Sequence, residues 1–144
     1  MGRKPEGFTL VEIVLALTLA GLFIYGATYS FQRLVPKFQL QSGIWEVTSG
    51  LNQARFRAIM SGEPVRVRFV PSGFVFEHYD EAAKIWRTAR TASLPGVAVR
   101  ANNSPVFHPQ GTVSDMASIT ISNSGGVYRV TIAISGRVRT TRVG

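Results

Sequence analysis

The sequence predicts an α+β protein, one long N-terminal helix followed by an antiparallel sheet packed on the helix's C-terminal half. Three observations predict it. An apolar run without a charged residue extends from Ile13 to Gln32. An apolar stripe at helical spacing then continues to about Ser61. After Pro64 the apolar residues alternate at period two, broken by Gly, Pro and Asn at turn positions. At 144 residues the chain has room for one modest domain and one extra element.

The first element is the apolar run. A run of about 20 uncharged residues gives roughly 30 Å of helix, enough to cross a bilayer core. Gly21, Gly26, Thr18 and Thr28 inside it are tolerated in membrane helices, where small residues allow close packing. Arg3 and Lys4 flank one end and Arg33 and Lys37 the other, so flanking charge does not set the orientation. In a secretory signal peptide the cleavage site follows the apolar run. Here the expected processing point, Gly7, precedes it. Glu12 is the one acid near the start of the run. It fits a helix-start carboxylate favoured by the macrodipole, or a charge that pairs with a cation inside an assembly.

The second part of the helix follows. Ile44, Val47, Leu51, Ala54 and Ala58 fall on one face, and Gln41, Glu46, Asn52, Gln53, Arg55 and Arg57 lie largely off it. The stripe reads as packing on the chain's own sheet. Gly43 and Gly50 lower the helical propensity without breaking the pattern. Pro36 predicts a kink, and Gly62 with Pro64 a stop, so the helix is expected from about Phe8 to Ser61.

The strands come next. Val65–Val70 alternates strongly, Pro71-Ser72-Gly73 turns, and Phe74–Tyr79 returns. Asp80–Lys84 is a loop, Ile85–Arg90 a strand, and Leu94-Pro95-Gly96 a turn before Val97–Val99. Ile119–Ile121, Asn123–Gly126 and Val127–Ile134 form a hairpin signal. Ser135-Gly136 turns into Arg137–Thr140.

Charge and composition narrow the function. Sixteen Lys and Arg against eight Asp and Glu give a formal net charge of +8. Such a surface suits a polyanion such as nucleic acid or anionic lipid, although basic charge alone does not require one. The absence of cysteine excludes disulfides, thiol catalysis and cysteine-ligated zinc. The two histidines, His78 and His108, have no nucleophile or metal-ligand spacing around them, and no phosphate-cradling loop is present. No enzyme activity, cofactor, metal or small-molecule substrate is therefore expected. Trp45, Trp86 and the phenylalanines read as core.

Gly7-Phe8-Thr9-Leu10-Val11-Glu12 followed by the apolar run resembles the class III signal of type IV prepilins and type II secretion pseudopilins. Asn52–Ile59 followed by Val65-Arg66-Val67 is similar to the GspH/FimT branch of that family. So are Val106–Gly111 and Val130–Arg139. One departure is visible. Many members carry a proline inside the apolar run, whereas here the first proline beyond the N-terminal tail is Pro36.

The resemblance implies that a prepilin peptidase cuts between Gly7 and Phe8 and methylates Phe8. It implies that Glu12 docks the subunit against its neighbour, through the free amine created by the cut. Residues 1–7 would be the leader, 8–35 the transmembrane and filament-core helix, and 36–144 a periplasmic pilin-like domain. The implied place is the bacterial inner membrane, crossed once, and then a filament of pilin or pseudopilin subunits. Two functions stay open. One is a minor pilin whose basic end binds DNA during uptake. The other is a minor pseudopilin of type II secretion, acting through subunit contacts in protein export. In the branch serving DNA uptake, a Gly-Arg-x-Arg motif is implicated in DNA binding. By that match Arg137 and Arg139 are candidate DNA-binding residues, with Arg142 beside them. Arg66 and Arg68 form a second same-face pair that no motif supports.

Overall fold

The computed structural model describes residues 7–143. The leader expected over residues 1–7 therefore lies outside the described residues up to position 6. The chain divides at Val35/Pro36 into two compact units.

Helix α1 spans Leu10–Ser61 and contains Pro36. Its start is set by Thr9, whose Oγ1 accepts the Glu12 N–H at 3.3 Å, while the Thr9 carbonyl accepts the Ile13 N–H at 3.1 Å. This is one arm of a Thr-x-x-Glu capping box. Within the first unit every described side chain is exposed. Leu10–Thr28 is long and apolar enough to cross a membrane. The threonine hydroxyls in this stretch are satisfied by their own helix. Thr18 donates to the Val14 carbonyl and Thr28 to the Tyr25 carbonyl, both at 2.8 Å. A hydroxyl bonded back in this way needs no partner from lipid or from another helix.

The second unit holds the whole buried core, from Leu40 onward. Residues 36–144 thus keep every buried apolar contact among the described residues, the core of a compact unit able to fold alone. Leu40, Ile44, Val47, Leu51, Ala54 and Ala58 form the buried face of the helix. Gly50 belongs to that face for a steric reason. A Cβ there would lie 2.6 Å from the ring of Phe74, so the glycine lets the sheet approach the helix.

The β region forms two antiparallel sheets, not the single sheet expected. The first contains β1 (Val65–Val70), β2 (Gly73–Asp80), β3 (Ile85–Ser93), β5 (Val106–Phe107) and β6 (Val113–Ser114), in the order β3-β2-β1-β5-β6. The second contains β4 (Ala98–Ala101), β7 (Ser118–Asn123), β8 (Gly126–Ile132) and β9 (Val138–Arg142), in the order β4-β7-β8-β9. The split arises because β1 pairs with β5, and β4 with β7, across long stretches of sequence. Two-residue strands such as β5 and β6 are too short to show alternation.

The β7–β8 hairpin is tied to the helix by Asn123. Its side-chain amide donates to the Pro36 carbonyl at 2.7 Å and to the Gly96 carbonyl at 3.0 Å. Its Oδ1 accepts the Gly125 N–H at 2.7 Å. One side chain thus joins the helix, the turn before β4 and the hairpin tip.

The aromatic residues correct one expectation. Phe74, Phe76 and Phe107 are buried, but Phe8, Phe23, Phe31, Phe38 and Phe56 are exposed, Trp45 is 67% exposed and Trp86 is only partly covered. Trp45 follows Ile44 by one residue, about 100° around the helix, and so points away from the core stripe.

Candidate functional site

Two regions hold the residues singled out by sequence. At the N-terminal end Gly7 and Phe8 precede the helix, and Phe8 is exposed. Glu12 lies in the first helical turn and is exposed. Among the described residues its carboxylate makes no ion pair. An uncharged partner or none at all leaves a carboxylate in an apolar segment unfavourable, so this position suits a cation brought by another molecule.

At the other end, the turn before β9 is built on Gly136. Its N–H donates to the Ala133 carbonyl at 2.9 Å, and the Ala133 N–H donates to the Arg137 carbonyl at 3.0 Å. Gly136 has φ +76°, and a Cβ there would lie 2.8 Å from Arg55 Nε and 2.9 Å from the Gly111 carbonyl oxygen. The Arg55 side chain therefore fills the space beneath both glycines. Its Nε is buried and, among the described residues, unbonded. The three sequence motifs of the C-terminal domain meet here: Asn52–Ile59 through Arg55, Val106–Gly111 through Gly111, and Val130–Arg139 through Gly136. No local pattern singles out Arg55, because its contacts lie on segments far away in sequence.

Arg137 sits one residue before β9, and Arg139 is within it. Both are exposed and line one shallow depression with Thr131, Ile132 and Ala133. The strand begins at Val138 because the turn holds Arg137, but the two arginines still share the depression. Arg142 does not join them. It is opposite Tyr128 in the ladder, whereas Arg139 is opposite Thr131. Positions three apart on a strand face opposite ways. Tyr128 packs against the core, and Arg142 lies beside Lys37, Leu40 and Gln41 of the helix.

The other candidates are committed elsewhere. Glu77, 5% exposed, accepts from Arg66 Nε at 2.7 Å and from Arg68 Nε at 3.0 Å. The Arg66 guanidinium also lies 4.5 Å from the centroid of the Trp86 ring. That pair is a structural cluster. His108 Nε2 is 2.9 Å from Ser114 Oγ, and its backbone closes a turn with Gly111 and Thr112. Asp80, on the strand of His78, is held by the Ala82 and Ala83 N–H groups at 3.0 Å each and by Arg87. The Ala83 N–H first, and then Arg87, keep its carboxyl below the usual range. No group of three His, Cys, Asp or Glu able to hold a metal occurs among the described residues.

Sequence reading missed two further arginines. Arg100 on β4 and Arg129 on β8 are exposed and sit on the outward face of the second sheet. Their neighbours Val99, Val130 and Ile121 are buried on the inward face. Alternation hints at each singly, but only the register shows that they belong together.

Residues 45–136 match the family model described as type II transport protein GspH. Among solved structures the chain resembles the minor pseudopilin EpsH of the Vibrio cholerae type II secretion system. The TM-score is 0.62 at 17% identity, covering 75% of this chain and 96% of that one. It also resembles the Pseudomonas aeruginosa type IV minor pilin FimU, with TM-score 0.60 at 16% identity, covering 73% and 90%. Escherichia coli GspH gives TM-score 0.56 at 16% identity, covering 73% and 89%. At these identities the likeness is one of fold. No curated protein matches the sequence.

Proposed function

The chain belongs to the family of the type II transport protein GspH, and on that premise we propose how its two ends work. It is a minor pseudopilin or pilin, a structural subunit of a type II secretion or type IV pilus system, and it assembles with other such subunits. Its apolar helix serves as a membrane anchor. In our reading a prepilin peptidase removes residues 1–7, and Phe8 becomes the methylated N-terminus. The chain crosses the inner membrane once, with residues 8–35 in the membrane and residues 36–144 in the periplasm. On assembly Glu12 pairs with the Phe8 amine of a neighbouring subunit. The exposed Glu12 carboxylate, unpaired among the described residues, supports that role.

At the far end, Arg137 and Arg139 contact DNA phosphates. The observation that carries this reading is the shared depression, which puts two exposed guanidinium groups beside one another with no carboxylate partner among the described residues. Arginine is suited to bidentate phosphate contact. The test is a mobility shift with fragment 36–144 and duplex DNA. Arg137→Ala plus Arg139→Ala should abolish the shift or weaken it strongly. An unchanged shift would refute the DNA reading.

A second reading is a type II secretion pseudopilin that acts through subunit contacts without DNA. The family match and the likeness to EpsH favour it. Deletion strains separate the two. Loss of transformation with normal secretion supports the first, and the reverse supports the second.

A further inference from the structure

We propose that the whole outward face of the β4-β7-β8-β9 sheet is a docking surface for the phosphate backbone of duplex DNA. On it Arg100 and Arg129 act with Arg139 and Arg137. This rests on the DNA reading above and gives it an extent and a mode.

Register carries the argument. Arg100 is opposite Thr120, Thr120 opposite Arg129, and Arg129 opposite Thr141, so these four residues form one row across all four strands. Ser118, Thr131 and Arg139 form the adjacent row. Directly paired residues share a face, and both rows are outward, because Val99, Ile119, Ile121, Val130 and Ile132 are buried on the other side. With strands about 4.8 Å apart, Arg100 and Arg129 stand roughly 10 Å apart. Arg129 and Arg139 are diagonal neighbours about 7–8 Å apart. These gaps are of the order of the through-space separation of neighbouring phosphates on one strand, which exceeds the axial rise of about 3.4 Å per nucleotide because the backbone winds around the axis.

The charge is one-sided. No Asp or Glu occurs in any strand of this sheet. Arg100, Arg129, Arg137 and Arg139 have no carboxylate partner among the described residues. The ground between them is low. Ser118, Thr120, Ser122, Thr131 and Thr141 rise little above the sheet, and Thr131 and Thr141 donate to neighbouring strand carbonyls at 3.4 Å. The single aromatic residue of these strands, Tyr128, is on the inward face. A face with cations and no stacking platform tracks a backbone without reading or unstacking bases. Duplex DNA is therefore the occupant, bound without sequence preference.

The test is fluorescence anisotropy of a labelled 30-base-pair duplex titrated with fragment 36–144 between 50 and 200 mM salt. Arg100→Ala plus Arg129→Ala should lower the steepness of log affinity against log salt by about two, near 0.9 per lost contact. Melting temperature should not change, and Arg100→Lys plus Arg129→Lys should keep the slope. If the alanine pair leaves slope and affinity unchanged while Arg137→Ala plus Arg139→Ala removes binding, the extended face is refuted and the DNA reading stands. If the wild-type fragment fails to bind duplex at 50 mM salt, both fall. Tighter binding to phosphatidylglycerol vesicles than to duplex at equal phosphate, or to unpaired strands than to duplex, overturns the choice of occupant.

Discussion

Two Arg-Val-Arg tripeptides in this chain have opposite fates. Arg66-Val67-Arg68 lies in β1 of the five-stranded sheet, and Arg137-Val138-Arg139 leads into β9 of the four-stranded sheet. In both, the valine turns toward the core and the arginines away from it. The first pair converges on Glu77, which the β1–β2 register sets opposite Arg66. The second pair belongs to a sheet with no acid in its strands. Local alternation puts arginines on a face, and register with a distant strand decides whether their charge is neutralised. One tripeptide is thereby part of the framework, and the other is left available to an anion.

The largest expected effect tests the neutralised pair. Glu77→Ala removes two charge-assisted hydrogen bonds from a nearly buried site, which costs about 2 kcal/mol. For a domain of this size that is roughly 10 °C in melting temperature. By contrast, Arg→Ala at positions 100, 129 or 139 should cost less than about 0.5 kcal/mol. The same Glu77→Ala variant releases two cations on the first sheet. If neutralisation alone separates the sheets, its DNA salt slope should steepen by one to two units, at roughly 0.9 per contact. A slope equal to wild type would mean that the shape of the second sheet matters as well as its charge.

A smaller effect tests the turn that presents the free pair. Gly136→Ala would force a side chain into φ +76° and into contact with Arg55 Nε. About 1–2 kcal/mol should be lost, since L residues pay that much in the left-handed region. DNA affinity should fall with it, because Arg137 and Arg139 would lose their common orientation. Wild-type affinity in a folded Gly136→Ala fragment would show that charge density, and not this turn, governs binding.

How much of this was legible in the sequence differs between the two tripeptides. Val65–Val70 occupies the strand that its alternation predicts, and Leu51, Ala54 and Ala58 occupy the predicted buried stripe. These are local properties of strand and helix. The division into two sheets was not legible, because it depends on β1 meeting β5 and β4 meeting β7. Nothing in the sequence around Glu77 marks it as the partner of Arg66 and Arg68, because that pairing comes from the β1–β2 register. Arg100 and Arg129 lie in no motif and Arg55 is not singled out within its own, because the neighbours of all three come from remote segments. The separation of Arg142 from Arg139 follows from strand parity once the pairing of β9 is fixed. The residues that neutralise or extend a charge pattern are thus the non-local part of the site.

The smallest effect is a pH dependence, confined to the first sheet's side of the comparison. The Asp80 carboxyl is held below its ordinary value of 3.8, first by the Ala83 N–H and then by Arg87. A folded value below the unfolded one means that the folded chain binds this proton more weakly. The associated stability is present above about pH 4 and lost as pH falls through the folded value. Asp80→Asn removes that contribution, so the urea midpoints of variant and wild type should differ at pH 6 and converge toward pH 2. The carboxylate is only partly covered, so the difference should be slight, and at 0.5 M salt smaller still. The second sheet has no strand carboxylate. Arg129→Ala should therefore show no such convergence. Parallel midpoint curves for wild type and Asp80→Asn would mean that the Arg87 contact and the Ala83 hydrogen bond add nothing to folding, and that the two sheets differ only at Glu77.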